Sequence, residues 1–130
     1  MVGSISTSLS GLQVASKRIA VAADNLANQQ STSSNINGKT VNTPYLPKEV
    51  VQISNNGVAT AIVQTKANPT QKLYQPDSPQ ADEYGFVNSP NVDQAEELVN
   101  MKVASYDYKA NLKAIQVQNN IEQSLLDILS

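Results

Sequence analysis

The sequence predicts an α+β fold in which long N- and C-terminal α-helices pack as a coiled-coil-like pair, with a small antiparallel β insert between them. Three observations carry that reading. The first 28 residues hold an apolar seam at helical spacing, the last third of the chain holds a longer one, and between them an Asn-Gly pair joins two β-rich runs. The chain accordingly divides into a first helix (1–30), a linker (31–44), a β-rich insert (45–88) and a last helix (89–130).

In the first segment Ile5, Leu9, Leu12, Ser16, Ile19, Ala23 and Leu26 recur with gaps alternating between four and three, a heptad seam. The helix is expected over 4–28, with Ser4 as its N-cap and the Asn28 region as its stop. Gly3, Gly11 and the serines at 4, 6, 8 and 10 weaken its first turns, because Gly and Ser are poor helix formers. From Gln29 to Pro44 the chain is polar, turn-rich and without period, which reads as a loop.

β character begins at Tyr45. Val50, Val51 and Ile53 precede Asn56-Gly57, a pair suited to the positive φ angles of a tight hairpin turn, and Val58 to Thr65 supplies the returning strand. A third short strand is expected around Lys72 to Gln75, followed by Pro76, Pro79 and an acidic turn from Ala81 to Gly85. A hairpin alone is marginal in water, so the insert needs a third strand or a helix to lean on.

The last helix is expected to begin between Pro90 and Asp93. Asp93 with Glu96 imitates a capping box, and Glu97 adds negative charge at the positive end of the helix dipole. Val99, Val103, Tyr106, Ala110, Ala114, Val117, Ile121, Leu125 and Ile128 then follow an eleven-residue rhythm, which favours a straight or slightly right-handed packing. A second row (Leu98, Met101, Tyr108, Leu112, Ile115, Leu126, Leu129) widens the apolar face. The differing rhythms predict against a simple matched hairpin of the two helices, and one partner is too little to bury both rows. Contacts with several neighbours are expected; the competing reading is one small domain that covers its own stripes.

Composition narrows the function classes. The chain has 130 residues, nine basic and eleven acidic side chains and a net charge of -2, so it offers no electrostatic footprint for nucleic acid and no sign of direct membrane insertion. Cysteine and histidine are absent, which removes disulfides, thiolate chemistry, the commonest transition-metal ligands and the commonest general base. No catalytic, cofactor or metal site is expected, and the chain is read as not an enzyme. Asp77, Asp82 and Glu83 could be imagined as an acid and base pair, but their setting of prolines, Ser78 and Gly85 reads as a solvated turn. Lys17 and Arg18 read as a solvated helix side. Tyr106 and Tyr108 are divided between packing on the β insert and contact with another subunit. Asn25, Asn28 and Asn111 sit beside the seams, where they could fix register or satisfy helix ends. The candidate assembly residues are Leu9, Leu12, Ile19 and Leu26 in front, with Val99, Val103, Tyr106, Tyr108, Val117, Ile121, Leu125 and Ile128 behind.

The run from Val21 to Thr32, with Asn25-Leu26-Ala27-Asn28 at its centre, resembles the N-terminal signature of bacterial flagellar axial proteins, the rod and hook family. Tyr74, Pro76, Pro79, Ala81, Asp82, Gly85 and Val87, the element Pro90-Asn91-Val92-Asp93, and Glu97, Val99, Asn100, Met101, Ala104, Ser105, Tyr108, Ala110 and Asn111 are similar in order to proximal rod proteins of the FlgC type. One departure stands out: Tyr106 and Asp107 occupy a place where that type usually carries an Arg. The resemblance implies a structural subunit of the flagellar basal-body rod, self- and hetero-assembling through its end helices to transmit torque. It implies as partners the other proximal and distal rod proteins, the ring-to-rod adaptor and the flagellar type III export apparatus. It also implies a periplasmic position reached without a cleavable signal peptide. The alternatives are another axial protein or a type III secreted helical partner-binding module.

Overall fold

The computed structural model describes residues 2–32, 35–36, 39–40 and 43–129. Helix α1 runs Val2–Ala27 and α2 runs Gln94–Leu129. Between them lie β1 (Asn35–Ile36), β2 (Lys39–Thr40), β3 (Lys48–Asn55), β4 (Val58–Thr65), β5 (Thr70–Tyr74) and β6 (Phe86–Pro90). The strands form three separate antiparallel pairs, β1 with β2, β3 with β4, and β5 with β6.

Helix α1 starts ahead of Ser4, so Ser4 lies in its first turns and is not the expected N-cap. Its C-terminus is closed by Asn28, whose main-chain N–H and side-chain Nδ2 both donate to the Asp24 carbonyl, at 3.1 and 2.9 Å. The expected linker holds the two-residue ladder Asn35↔Thr40 and Ile36↔Lys39. Positions 33, 34, 37, 38, 41 and 42 of that linker, and the terminal residues Met1 and Ser130, lie outside the described residues.

The β3–β4 hairpin follows its local chemistry closely. Asn56 and Gly57 take φ values of 50° and 79°, the two positive angles of a twist-matched two-residue turn, and Asn55 pairs with Val58 across it. The hairpin leans on a helix, not on a third strand. Ala59, Ala61 and Val63 of β4 are half-buried against α1, and Ala59 N–H donates to the buried Ser10 hydroxyl at 3.1 Å. The opposite hairpin face leaves Val51, Ile53, Val58 and Ile62 exposed.

The third expected strand exists as β5, but it pairs with β6, so Pro90 closes a strand instead of opening a helix. Val87 and Pro90 are fully buried there, and Pro47, ahead of β3, is fully buried as well. Asn91 then ties the exit of β6 back to the chain before β5, its N–H donating to Pro69 O at 2.9 Å and its Nδ2 to Asn68 O at 3.1 Å.

Helix α2 begins as the capping argument requires. Asp93 Oδ1 accepts the N–H groups of Ala95 and Glu96 at 2.8 and 3.1 Å, satisfying two of the donors that a helix start leaves unpaired. Glu96 does not reach back to close a capping box; its carboxylate meets Lys66 Nζ at 3.3 Å. Asp93→Ala is expected to lower stability by about 1 kcal/mol, measured as a shift in the urea midpoint with an unchanged slope.

Contrary to the expectation drawn from the differing rhythms, the two helices do form an antiparallel pair. Asn25 meets Glu97 at one end and Gly11 meets Asn111 further along. At about 54 Å for 36 residues against about 39 Å for 26, α2 outruns α1.

Candidate assembly surface

The helix pair closes mostly on residues outside the apolar seams, with Met101, Tyr108 and Ile115 of the second α2 row as exceptions. On α2 the covered or half-covered positions include Glu97, Met101, Ala104, Asn111, Ile115, Gln118 and Glu122, an alternating three-and-four series completed by Tyr108. On α1 the facing series is Ser4, Ser8, Gly11, Ala15, Arg18, Ala22 and Asn25. These are mostly small or polar side chains, and small size lets the helices approach closely. A Cβ on Gly11 would stand 2.6 Å from Asn111 Oδ1, so the pairing uses the missing side chain at that point.

The sequence-derived seam of α1 is this covered row shifted by one residue, about 100° around the helix. Leu12, Ile19 and Leu26 are therefore only half-buried and Leu9 is 50% exposed. The row on the other side of the covered one, Ser10, Val14 and Val21, is buried, and Ser10 bonds β4 there. Helix α1 thus has one row on the hairpin, one on α2 and one facing outward.

The long apolar rows of α2 are left outside. Val99, Val103, Tyr106, Val117, Ile121, Leu125 and Ile128 are all exposed, and so is Tyr108 on the edge of the covered row. No strand packs on α2 among the described residues, so Tyr106 and Tyr108 do not rest on the insert. Beyond Gln118 the projecting turns carry Ile121, Leu125, Leu126, Ile128 and Leu129, with Val117, Ile121 and Leu125 lining one shallow furrow. Near the start of α1 a second furrow is lined by Ile5, Ala114, Ile115 and Val117.

What lies buried is the complement of this. Among the described residues no Leu, Ile, Met, Phe or Tyr falls in the buried class; the apolar core is Val14, Ala15, Val21, Ala22, Val87 and Ala104. Burying a large aliphatic side chain is worth about 1.5–3 kcal/mol, and this chain leaves most of that gain unused within itself.

The end of the pair where both helices meet the insert is held by polar chemistry. Asn25 is fully buried and uses both atoms of its amide twice: Nδ2 donates to Lys48 O at 2.8 Å and to Glu97 Oε1 at 2.9 Å, while Oδ1 accepts Lys48 N–H and Tyr45 O–H, each at 3.0 Å. Glu97, itself 3% exposed, also receives Lys66 Nζ at 2.9 Å. Arg18, which the sequence placed on a solvated side, donates to Gln52 Oε1 at 3.1 Å and faces Asp107 at 3.7 Å. Lys17 stays exposed.

These contacts set the titration of the hub. Burial raises the Tyr45 hydroxyl above its ordinary value, and the Asp24 and Glu97 charges add to the effect. For Lys66 burial pulls downward, but the hydrogen bonds and charges of Glu97 and Glu96 outweigh it and the net shift is upward. Both groups hold their protons more tightly folded than unfolded, so their contribution is complete below the unfolded-state values of about 10 and is lost as pH rises through the folded-state ones. The melting temperature is expected to fall as pH rises above about 10, and less steeply in Lys66→Met. An equal slope in both proteins would contradict this assignment.

Comparison with known proteins sets these features in a family. Residues 84–128 match the family described as flagellar basal body rod FlgEFG protein C-terminal. Over 128 residues the chain is 38% identical to the flagellar basal-body rod protein FlgC of Salmonella typhimurium, covering 93% of this chain and 90% of that one. It is 31% identical to the FlgC protein of Agrobacterium fabrum, with 92% and 88% covered, and 34% identical to that of Aquifex aeolicus, with 88% and 86% covered. The chain belongs to the FlgC family of flagellar basal-body rod proteins.

Within this FlgC-family chain the two sequence elements that carried the resemblance are structural. Asn25, Asn28, Asn91 and Asp93 each close a turn, a cap or the hub; Pro90 is buried, Leu26 and Val92 are half-buried, and Ala27 is exposed. Both elements lie at the same end of the helix pair, where they join α1, the insert and α2. Of the carboxylates read as a solvated turn, Asp82 does that work as well: its Oδ1 accepts Tyr84 and Phe86 N–H at 3.0 and 2.9 Å. At the position of the departure from the family pattern, Asp107 faces Arg18 of the same chain, so charge there is paired within the subunit.

Proposed function

We propose that this chain is a structural subunit of the flagellar proximal rod, built into the shaft through the outward rows of its two helices. The observation that carries this reading is the inverted distribution of apolar side chains: a core of Val and Ala, and Leu, Ile and Tyr along the outside of a 36-residue helix. A monomer that functions alone has no use for such rows, whereas a subunit surrounded by copies and relatives buries them on assembly. The seam residues Leu9, Leu12, Ile19, Leu26, Val99, Val103, Tyr106, Tyr108, Val117, Ile121, Leu125 and Ile128 are then the contacts with neighbouring subunits.

On this reading the partners are the other proximal and distal rod proteins and the ring-to-rod adaptor, and the chain reaches a periplasmic position through the flagellar type III export apparatus without a cleavable signal. Its role is mechanical and not enzymatic: torque is carried by many side contacts. The ordering of the helix ends that exceed the helix pair is part of assembly, with a cost of about 1–2 kcal/mol per backbone residue offset by burial of the apolar rows. The test is to supply a tagged chain as the sole copy in a flagellated strain lacking the gene, then isolate basal bodies. The chain is expected in the rod fraction, with motility restored. A tagged chain that restores motility but is missing from basal bodies contradicts the proposal.

A further inference from the structure

Two charged patches of opposite sign lie on this molecule without meeting. Lys102, Lys109 and Lys113 are exposed on α2, and Lys102 Nζ lies 5.3 Å from the centre of the Tyr106 ring. At 100° per residue they fall roughly 140–180° around the helix from Ala104, and Lys113 also borders the furrow that Ser4, Ile5 and Ser8 of α1 line. Among the described residues none of the three lysines has an ion-pair partner. The loop between β5 and β6 is the counterpart. From Gln75 to Gly85 it contains Asp77, Asp82 and Glu83 and no basic residue, and Tyr84, just ahead of β6, is 79% exposed. This loop has a built shape: Asp82 Oδ1 accepts two main-chain N–H groups, Gly85 takes a φ of 81°, and the Thr32 hydroxyl donates to Gln80 Oε1.

We propose that the acidic loop of one copy docks on the lysine stripe of a second copy, in a head-to-tail contact. The argument is charge complementarity between two different faces of one chain. The stripe extends about 16 Å along the helix, within the reach of the seven residues from 77 to 83. Tyr84 supplies a ring for the lysine stems and ammonium groups. Because the two patches differ, each copy keeps one of each free after pairing, and a contact of this kind propagates instead of closing on itself. The inference deepens the rod-subunit reading, on which it rests, by naming a polar contact and its direction beside the apolar rows.

The test is sedimentation of the full chain at about 50 mM and about 500 mM salt, since contacts between exposed charges weaken as the screening length shortens. Self-association of the natural sequence is expected to drop at least tenfold at the higher salt. The Lys102→Glu/Lys109→Glu/Lys113→Glu variant and the Asp77→Lys/Glu83→Lys variant are each expected to lose it at low salt. An equimolar mixture of the two is expected to regain it, because each now complements the other; a variant that merely misfolds cannot be rescued in this way. A natural chain that is monomeric at low salt, variants that associate undiminished, or a mixture that fails to recover would each overturn the proposal. Those failures, with the chain still present in isolated basal bodies, remove only this contact; absence of the natural chain from basal bodies removes the rod reading itself.

Discussion

An Ile121→Lys/Leu125→Lys variant is expected to melt within about 0.5 kcal/mol of the natural sequence as a free subunit, yet to be missing from rods and unable to restore motility. Both side chains lie on the part of α2 that runs past α1, 47% and 42% exposed, so the free subunit loses little when they change. Lysine is a good helix former, and the last turn of α2 carries no basic residue, so the new charges complement the helix dipole. In an assembled shaft the same positions must leave water. Burying unpaired charges costs several kcal/mol per ion after relaxation, more than the apolar contacts replaced. Thermal denaturation of the pure subunit and immunoblots of isolated basal bodies read the two halves of this prediction. Loss of stability in the free subunit, or normal incorporation, would show that these residues serve the fold and not the assembly.

Asn25→Ala is expected to do the reverse, costing about 3 kcal/mol of subunit stability without touching an outward row. The substitution removes four hydrogen bonds and leaves the Lys48 N–H and carbonyl, the Tyr45 hydroxyl and the Glu97 carboxylate short of a partner in a buried place. Asn25→Asp is expected to be at least as damaging. It replaces the Nδ2 donor that stands 2.9 Å from Glu97 Oε1 with a second carboxylate oxygen. Urea denaturation measures both. A loss under about 1 kcal/mol for Asn25→Ala would mean that water or neighbouring groups replace the amide.

The two variants separate what the sequence makes legible from what it hides. Elements set by local chemistry are readable: the Asn56-Gly57 turn has its two positive φ angles, β4 occupies Val58–Thr65, and Asp93 caps α2. The outward rows are readable too, because a periodicity scan responds to large apolar side chains wherever they point. What such a scan does not reveal is which side of the helix the protein itself covers. The covered rows include Ser8, Gly11, Ala15 and Ala22 against Ala104 and Asn111, whose small size allows close approach and which carry little hydrophobic signal. On α1 the covered row lies one residue from the heptad seam, which leaves Leu9 exposed and Leu12, Ile19 and Leu26 half-buried.

Strand β6 escaped notice for a related reason. Phe86–Pro90 contains Asn88 and ends in proline, and its partner β5 lies across an eleven-residue turn-rich loop, so neither propensity nor hairpin spacing marks it. The hub around Asn25 is invisible to any local reading. Its partners are the main chain of Lys48 and a carboxylate 72 positions away, brought together only when the insert and both helices are in place. The resemblance to axial proteins did mark Asn25 and Asp93, but it gave no physical role to either; the structure supplies a bond for each.

On the rod-subunit reading the outward rows are open to solvent in the free subunit and closed in the rod. Because the chain contains no cysteine, an Ile121→Cys variant reports on this directly. The measurement is its rate of thiol labelling as a purified subunit and again in isolated basal bodies. Rapid labelling of the free subunit with strong protection in the rod is the result predicted. Equal labelling in both states would contradict the claim that α2 enters the shaft through this row.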